Sequence, residues 1–267
     1  VLAFRRARVN RHQQGFALLI VLWTMVLLAL LAGTIGAAGR SEARLASNLL
    51  ASAQAEAAAD GAVAAALYHA LDASQAHWAA DGTTHVLTLE VARVQVAVQD
   101  QDGLVDPNQA PPGLLAALLR QTGATDTTAQ QAANAIVDWR SATDDGLAGV
   151  YAAQNRAFGP PHEPFESVDE LALVAYITPA IMLALRPHIN PFLQATPDPA
   201  LADPVVTAAI ADATRRSQLT LGSVASNGPS ILAVTATAHA ANATFTRRAL
   251  LRFDARATPP YEMLEWH

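Results

Sequence analysis

The chain has no cysteine and no lysine. Without cysteine there is no thiol nucleophile, no disulfide framework and no thiolate zinc site, and the redox compartment is not revealed. Without lysine there is no Walker A lysine, no Schiff-base lysine and no Ser-x-x-Lys acylation site. Positive charge comes from arginine alone, and acidic residues outnumber it, giving a formal net charge of −6 at pH 7. An acidic body argues against a nucleic-acid surface, because phosphate binding needs clustered positive charge. Catalytic signatures are missing too. The histidines are scattered, with no His-Glu-x-x-His. No Gly-x-Ser-x-Gly elbow surrounds Ser223 or Ser226. DQDGLVD invites comparison with an EF-hand, but Leu104 occupies a ligand position and Pro111 stands where the closing glutamate belongs. Asp138 with Asp144 or Glu170 is better read as caps, turn residues or metal ligands than as an acid–base pair. The chain reads as non-catalytic.

What the sequence does have is a long apolar run. Arg5, Arg6, Arg8 and Arg11 lie in a leader ending at Gly15, and no charged side chain interrupts Phe16 to Ala38. At ~1.5 Å per residue that run reaches roughly 30–35 Å, which predicts a transmembrane helix over 16–38. The arginines place the leader in the cytoplasm and everything after Arg40 on the far side. The expected location is a bacterial inner membrane, single-pass, with the bulk in the periplasm. The border Gly15-Phe16 precedes the apolar run, whereas a secretory signal is cut after it. Cleavage there would discard only residues 1–15.

Helix-forming sequence continues beyond Arg40, predicting one helix from about Phe16 to Ala73. THVLTLEVARVQVAVQD alternates with period two and predicts one or two strands. From Pro111 to about Pro191 the pattern is helical. Thr125 or Asp126 is a cap, Ser167 and Glu170 form a capping-box pattern, and Thr178-Pro179 is a helix entrance. Helical character resumes after Pro199 to about Arg216. ILAVTATAHAA, TFTRRALLRFDAR and YEMLEWH then read as strands, with turns at Asn227-Gly228 and Ala241-Asn242. Strands split by a helical block predict an α+β fold. It has a long N-terminal transmembrane helix, an α/β domain with an antiparallel sheet and a large inserted α-helical subdomain. The divisions are 39–102 for the rest of the first helix and first strands, 103–191 for the insertion and 192–267 for the remainder of the α/β domain.

QQGFALLIVLW, with Gly15 and Phe16, resembles the class III cleavage region of type IV pilins and pseudopilins. DGLVDPNQA at Asp102 to Ala110, AIVDWR with Asp138 and Trp139, Tyr151, Pro160-Pro161, ESVDELALV at Glu166 to Val174 and the closing YEMLEWH follow in order. Together they resemble the minor pseudopilin K (GspK) family of the type II secretion system. Most pseudopilins carry glutamate at the fifth position after the cut. Ile20 stands there, and its lack of charge is a hallmark of the K family.

The resemblance implies cleavage between Gly15 and Phe16, N-methylation of Phe16 and an assembly role for Ile20. It implies a tip-located subunit that initiates or caps the pseudopilus for protein export across the outer membrane. The implied partners are minor pseudopilins I and J, pseudopilin H, the major pseudopilin G, the prepilin peptidase and the inner-membrane secretion platform, with no nucleic acid. Relatives hold calcium near the stretch that here reads LAGVY. The acidic residue of that motif is missing, and Asp138, Asp144 and Asp145 remain as oxygen donors. Ordinary turn chemistry stands beside that reading. Two alternatives remain. One is a minor pilin of a type IV pilus. The other is a membrane-anchored helix-hairpin-helix DNA-uptake protein, which Ala175-Tyr176-Ile177 disfavours by lacking the glycines of a phosphate-binding hairpin.

Overall fold

The computed structural model describes residues 11–72, 74–142, 147–193, 195–216, 230–254 and 257–267. It begins with helix α1, Arg11–Leu71, followed by strands β1, Asp81–Thr88, and β2, Arg93–Asp100. Helices α2, Pro112–Gln121, α3, Asp126–Arg140, α4, Ala148–Ala153, α5, Pro179–Leu185, and α6, Pro204–Arg215, come next. Strands β3, Ser230–Ala240, β4, Ala243–Phe253, and β5, Tyr261–Trp266, close the chain. The five strands form one antiparallel sheet in sequence order. β2 pairs directly with β3, Arg93 opposite His239 and Asp100 opposite Leu232. Everything between those two strands is therefore an insertion into a single hairpin.

The α+β order, antiparallel sheet and helical insertion stand as expected. The transmembrane helix over 16–38 does not, and the single-pass inner-membrane placement goes with it. Among the described residues no helix is long and apolar enough to cross a membrane. Helix α1 runs on well past the apolar stretch, through Glu42, Arg44 and Glu56. Farther along, α1 serves a different purpose. Ala55, Ala59, Ala62, Ala66 and Val63 are buried at helical spacing against Val94, Val96 and Val98 of β2 and Val234, Ala236 and Ala238 of β3. Alanine lets the helix axis lie close to the pleat, and alternation puts the valines on the helix side while Arg93, Gln95 and Gln99 face out. Arg247 of β4 clips the helix to the sheet. Its Nε donates to Asp60 at 2.6 Å and its Nη2 to Glu56 at 3.1 Å, with Phe245 and Trp266 against its guanidinium.

A second core lies within the insertion. Leu114, Leu115 and Leu118 of α2 pack with Ala132, Ala133 and Ile136 of α3 and with Val206, Ala209 and Ile210 of α6. Residues 204–215, expected with the returning α/β domain, thus belong to the insertion. Arg120 of α2 donates through Nε and Nη2 to Asp212 of α6 at 3.0 and 2.7 Å. The Arg120 hydrogen bonds hold the Asp212 carboxyl below its usual range. Thr125 and Thr178 cap their helices as expected, accepting from the N–H groups of Thr128 and Ile181. The Ser167–Glu170 pattern forms differently. It opens a 3-10 run, Val168–Leu173, and Glu170 accepts from the Glu166 N–H and the Ser167 hydroxyl instead of making a reciprocal box. Ala241, with φ 48°, forms the tight β3–β4 turn. Asn227-Gly228 lies outside the described residues.

Candidate functional site

The motif residues of the insertion converge on the C-terminal end of α3. Trp139 is buried and stacks on Phe165, centroids 6.0 Å apart and planes within 8°. Tyr151 of α4 packs beside it at 6.2 Å, and its hydroxyl accepts from the Ala175 N–H at 3.2 Å. Burial pushes the Tyr151 phenol up. The 160–164 segment closes over the helix end. His162, in a left-handed conformation with φ 61°, brings Nδ1 to 3.1 Å from the Asp138 carbonyl and 3.0 Å from that of Ser141. A proton on Nδ1 satisfies both carbonyls, which a helix terminus otherwise leaves exposed. The Glu163 N–H donates to Trp139 O. Trp139, Tyr151 and Phe165 are thus one structural anchor.

Asn108 and Arg140 extend that anchor; the sequence reading quoted them inside the motifs DGLVDPNQA and AIVDWR but gave neither a role of its own. The Asn108 amide donates to Phe165 O at 3.0 Å and to Pro191 O at 3.1 Å, and its oxygen accepts from the Phe165 N–H at 2.8 Å. The Arg140 guanidinium donates to Pro107 O and, at 2.8 Å, to Ala110 O. By itself Asp106-Pro107-Asn108 reads as a local turn. Asp106 does make that turn, accepting from the Asn108 N–H at 2.7 Å.

Asp138 is fully buried on α3. Asp144 and Asp145 lie outside the described residues. Among the described residues no group of three or more histidines or carboxylates could hold a metal ion. Calcium takes six to eight oxygens. Asp138 alone does not make such a site, and no step is derived through one.

Gly15 lies within α1. Phe16, Leu19, Ile20, Trp23 and Leu27 are all exposed, so this part of α1 is an apolar rod uncovered by the rest of the described chain. Such a surface marks an interaction site. Elsewhere, a cleft of about 780 Å³ separates Asp169, Arg186 and Phe192 of the insertion from Arg248, Glu265 and His267 at the sheet edge. At the place of a helix-hairpin-helix hairpin, Ala175 and Ile177 are buried and Tyr176 takes φ 67°. The nearby Arg186 is paired with Asp169.

Residues 89–190 match a protein-family model described as type II secretion system (T2SS), protein K. The matched stretch runs from the β1–β2 loop through Asn190 and holds the whole Trp139 anchor. Over those residues the chain is similar to protein K of the type II secretion system. Its role is that of a minor pseudopilin subunit of that system. A chain of the GspK-GspI-GspJ complex from the type 2 secretion system of enterotoxigenic Escherichia coli is similar, with a TM-score of 0.57 and 14% identity. The match covers 85% of this chain and 98% of that one, and at this identity it shows the shared fold. None of the curated proteins compared matches the chain.

Proposed function

We propose that this K-family subunit sits at the tip of the pseudopilus, where it initiates or caps the filament together with minor pseudopilins I and J. The observation that carries this reading is the insertion itself. A second core, with its own helices, rises from one strand pair of the sheet, and its bulk would crowd a subunit stacked above it. The solved complex places a protein of similar fold with the I and J subunits of its own system. Pseudopilin H and the major pseudopilin G would follow beneath, and the secretion platform would drive their addition. The mechanism is assembly, not catalysis. Ile20 supports a first-placed subunit. A carboxylate there could pair with the N-terminal amine of a neighbour among packed apolar helices, where an unpaired charge is costly. Isoleucine cannot, so this chain is suited to receive the next subunit and poorly suited to join beneath one. The exposed side chains from Phe16 onward would find their cover in neighbouring pseudopilin helices.

Coexpression with the neighbouring I and J subunits should yield a complex that survives size exclusion. Antibody to the insertion should label one end of sheared pseudopili. Purification with neither partner, or label at intervals along the shaft, would overturn the tip reading. The same reading includes removal of residues 1–15 by the prepilin peptidase and methylation of Phe16. N-terminal mass analysis should find methylated Phe16, and Gly15→Val should leave the leader attached, because the peptidase must approach the backbone at a small residue. A mature chain beginning elsewhere would refute the processing site alone.

A further inference from the structure

The outgoing chain crosses from the sheet to the insertion at residues 100–103. There the ladder of β2 and β3 runs one step past Asp100, with the Gln101 N–H donating to Ile231 O at 2.8 Å. The next step is made by a side chain. Asp102 Oδ1 accepts from the Ile231 N–H at 3.3 Å, while Asp102 O accepts from the Asp198 N–H at 2.8 Å. Residue 102 therefore holds the returning strand on one side and the insertion on the other. The charged groups facing it are Asp100 of β2, whose carboxylate accepts from the Asp102 N–H at 2.8 Å, and Asp198 of the loop before α6. Among the described residues none of the three takes part in an ion pair. Their arrangement is also not one that could hold a metal ion.

We propose that Asp102 is a protonation-dependent latch at the neck between the sheet and the inserted helical core, holding them together when neutral and loosening them when charged. Protonated, the carboxyl keeps an oxygen for the Ile231 N–H and gains an O–H that can donate to Asp100 or Asp198. Ionised, it places one more negative charge beside two others. Burial, then the Asp100 charge, raises Asp102 from 3.8 to about 6, and burial raises Asp100 as well. A group raised on folding stabilises fully below its open-chain value. That stabilisation is lost as the pH climbs through about 6 and stays lost above it.

The test compares full-length wild type with Asp102→Asn and Asp102→Ala from pH 4.5 to pH 8. Asparagine keeps the acceptor without the charge. Its chain should melt roughly 2–4 °C above wild type at pH 8, a gap that narrows to about half as the pH falls to 5. Alanine should melt below Asp102→Asn throughout. A constant gap, or Asp102→Asn melting at or below wild type at pH 8, overturns the latch. Hydrogen exchange of wild type decides the matter even if the variants fold poorly. Protection of the Ile231 and Asp198 amides, corrected for intrinsic rates, should fall about tenfold from pH 5 to pH 8. Unchanged protection overturns it.

Discussion

Replacing Gly103 by alanine is expected to destabilise the protein by about 3 kcal/mol, lowering the melting temperature by roughly 6–12 °C. A Cβ at this position would lie 2.7 Å from the Ala202 nitrogen and closer still to the carbonyl group of Leu201. These are backbone atoms, and they have little room to retreat. The Leu201 and Ala202 N–H groups both donate to Asp198 O, and the Asp198 N–H donates to Asp102 O, the residue before the glycine. Behind Ala202 stands Asp203, which caps α6 by accepting from the N–H groups of Val205 and Val206. Pushing 201–202 aside therefore strains the neck and the start of α6 together. Gly149→Ala is the matched control. Nothing lies within 4 Å of its added Cβ, and the change should fall within about 0.5 kcal/mol of wild type. Equal melting of the Gly103→Ala chain and wild type would mean that the 198–202 turn is not fixed as described.

The features legible in the sequence are those that a short window determines. Period-two alternation placed Val94, Val96 and Val98 on one face, and the Thr125 and Thr178 hydroxyls sit one turn from the N–H groups they cap. The α+β order and the helical insertion follow from the same local patterns. The apolar run was read as a membrane span, and among the described residues no helix is long and apolar enough to cross one. Helix α6 was legible as a helix but not in its place. Its partner is α2, reached through Arg120 and Asp212, and nothing within 204–215 names that partner.

The Trp139 anchor shows the same division. Trp139, Tyr151 and the 166–174 stretch could be picked out as motifs, since unusual residue types in order carry information. Their convergence on one cluster depends on the His162 turn and on Phe165, which no local pattern singles out. Asn108 was least visible. Asparagine after Asp-Pro is ordinary turn composition, and its tertiary partners are 57 and 83 residues away.

That distance makes Asn108 the second site of large effect. Asn108→Ala is expected to cost about 2–4 kcal/mol, because it leaves the Phe165 N–H and the Phe165 and Pro191 carbonyls without partners in a half-buried place. The loss should appear as a melting temperature lower by roughly 5–10 °C. Asn108→Asp separates the hydrogen bonds from mere volume. It keeps an oxygen for the Phe165 N–H but turns the amide's two donations into a carboxylate facing two carbonyls, with buried Asp106 two residues away. The new carboxyl should titrate above its ordinary range in the folded state, so its penalty is largest at high pH and shrinks as the pH falls. At pH 8 the expected order of melting is wild type, then Asn108→Ala, then Asn108→Asp, with the last two converging near pH 5. An Asn108→Ala chain within about 0.5 kcal/mol of wild type would show that the clip joining residues 108, 165 and 191 contributes little. The fold of the insertion would then rest on its two packed faces, α2 on α3 and α2 on α6.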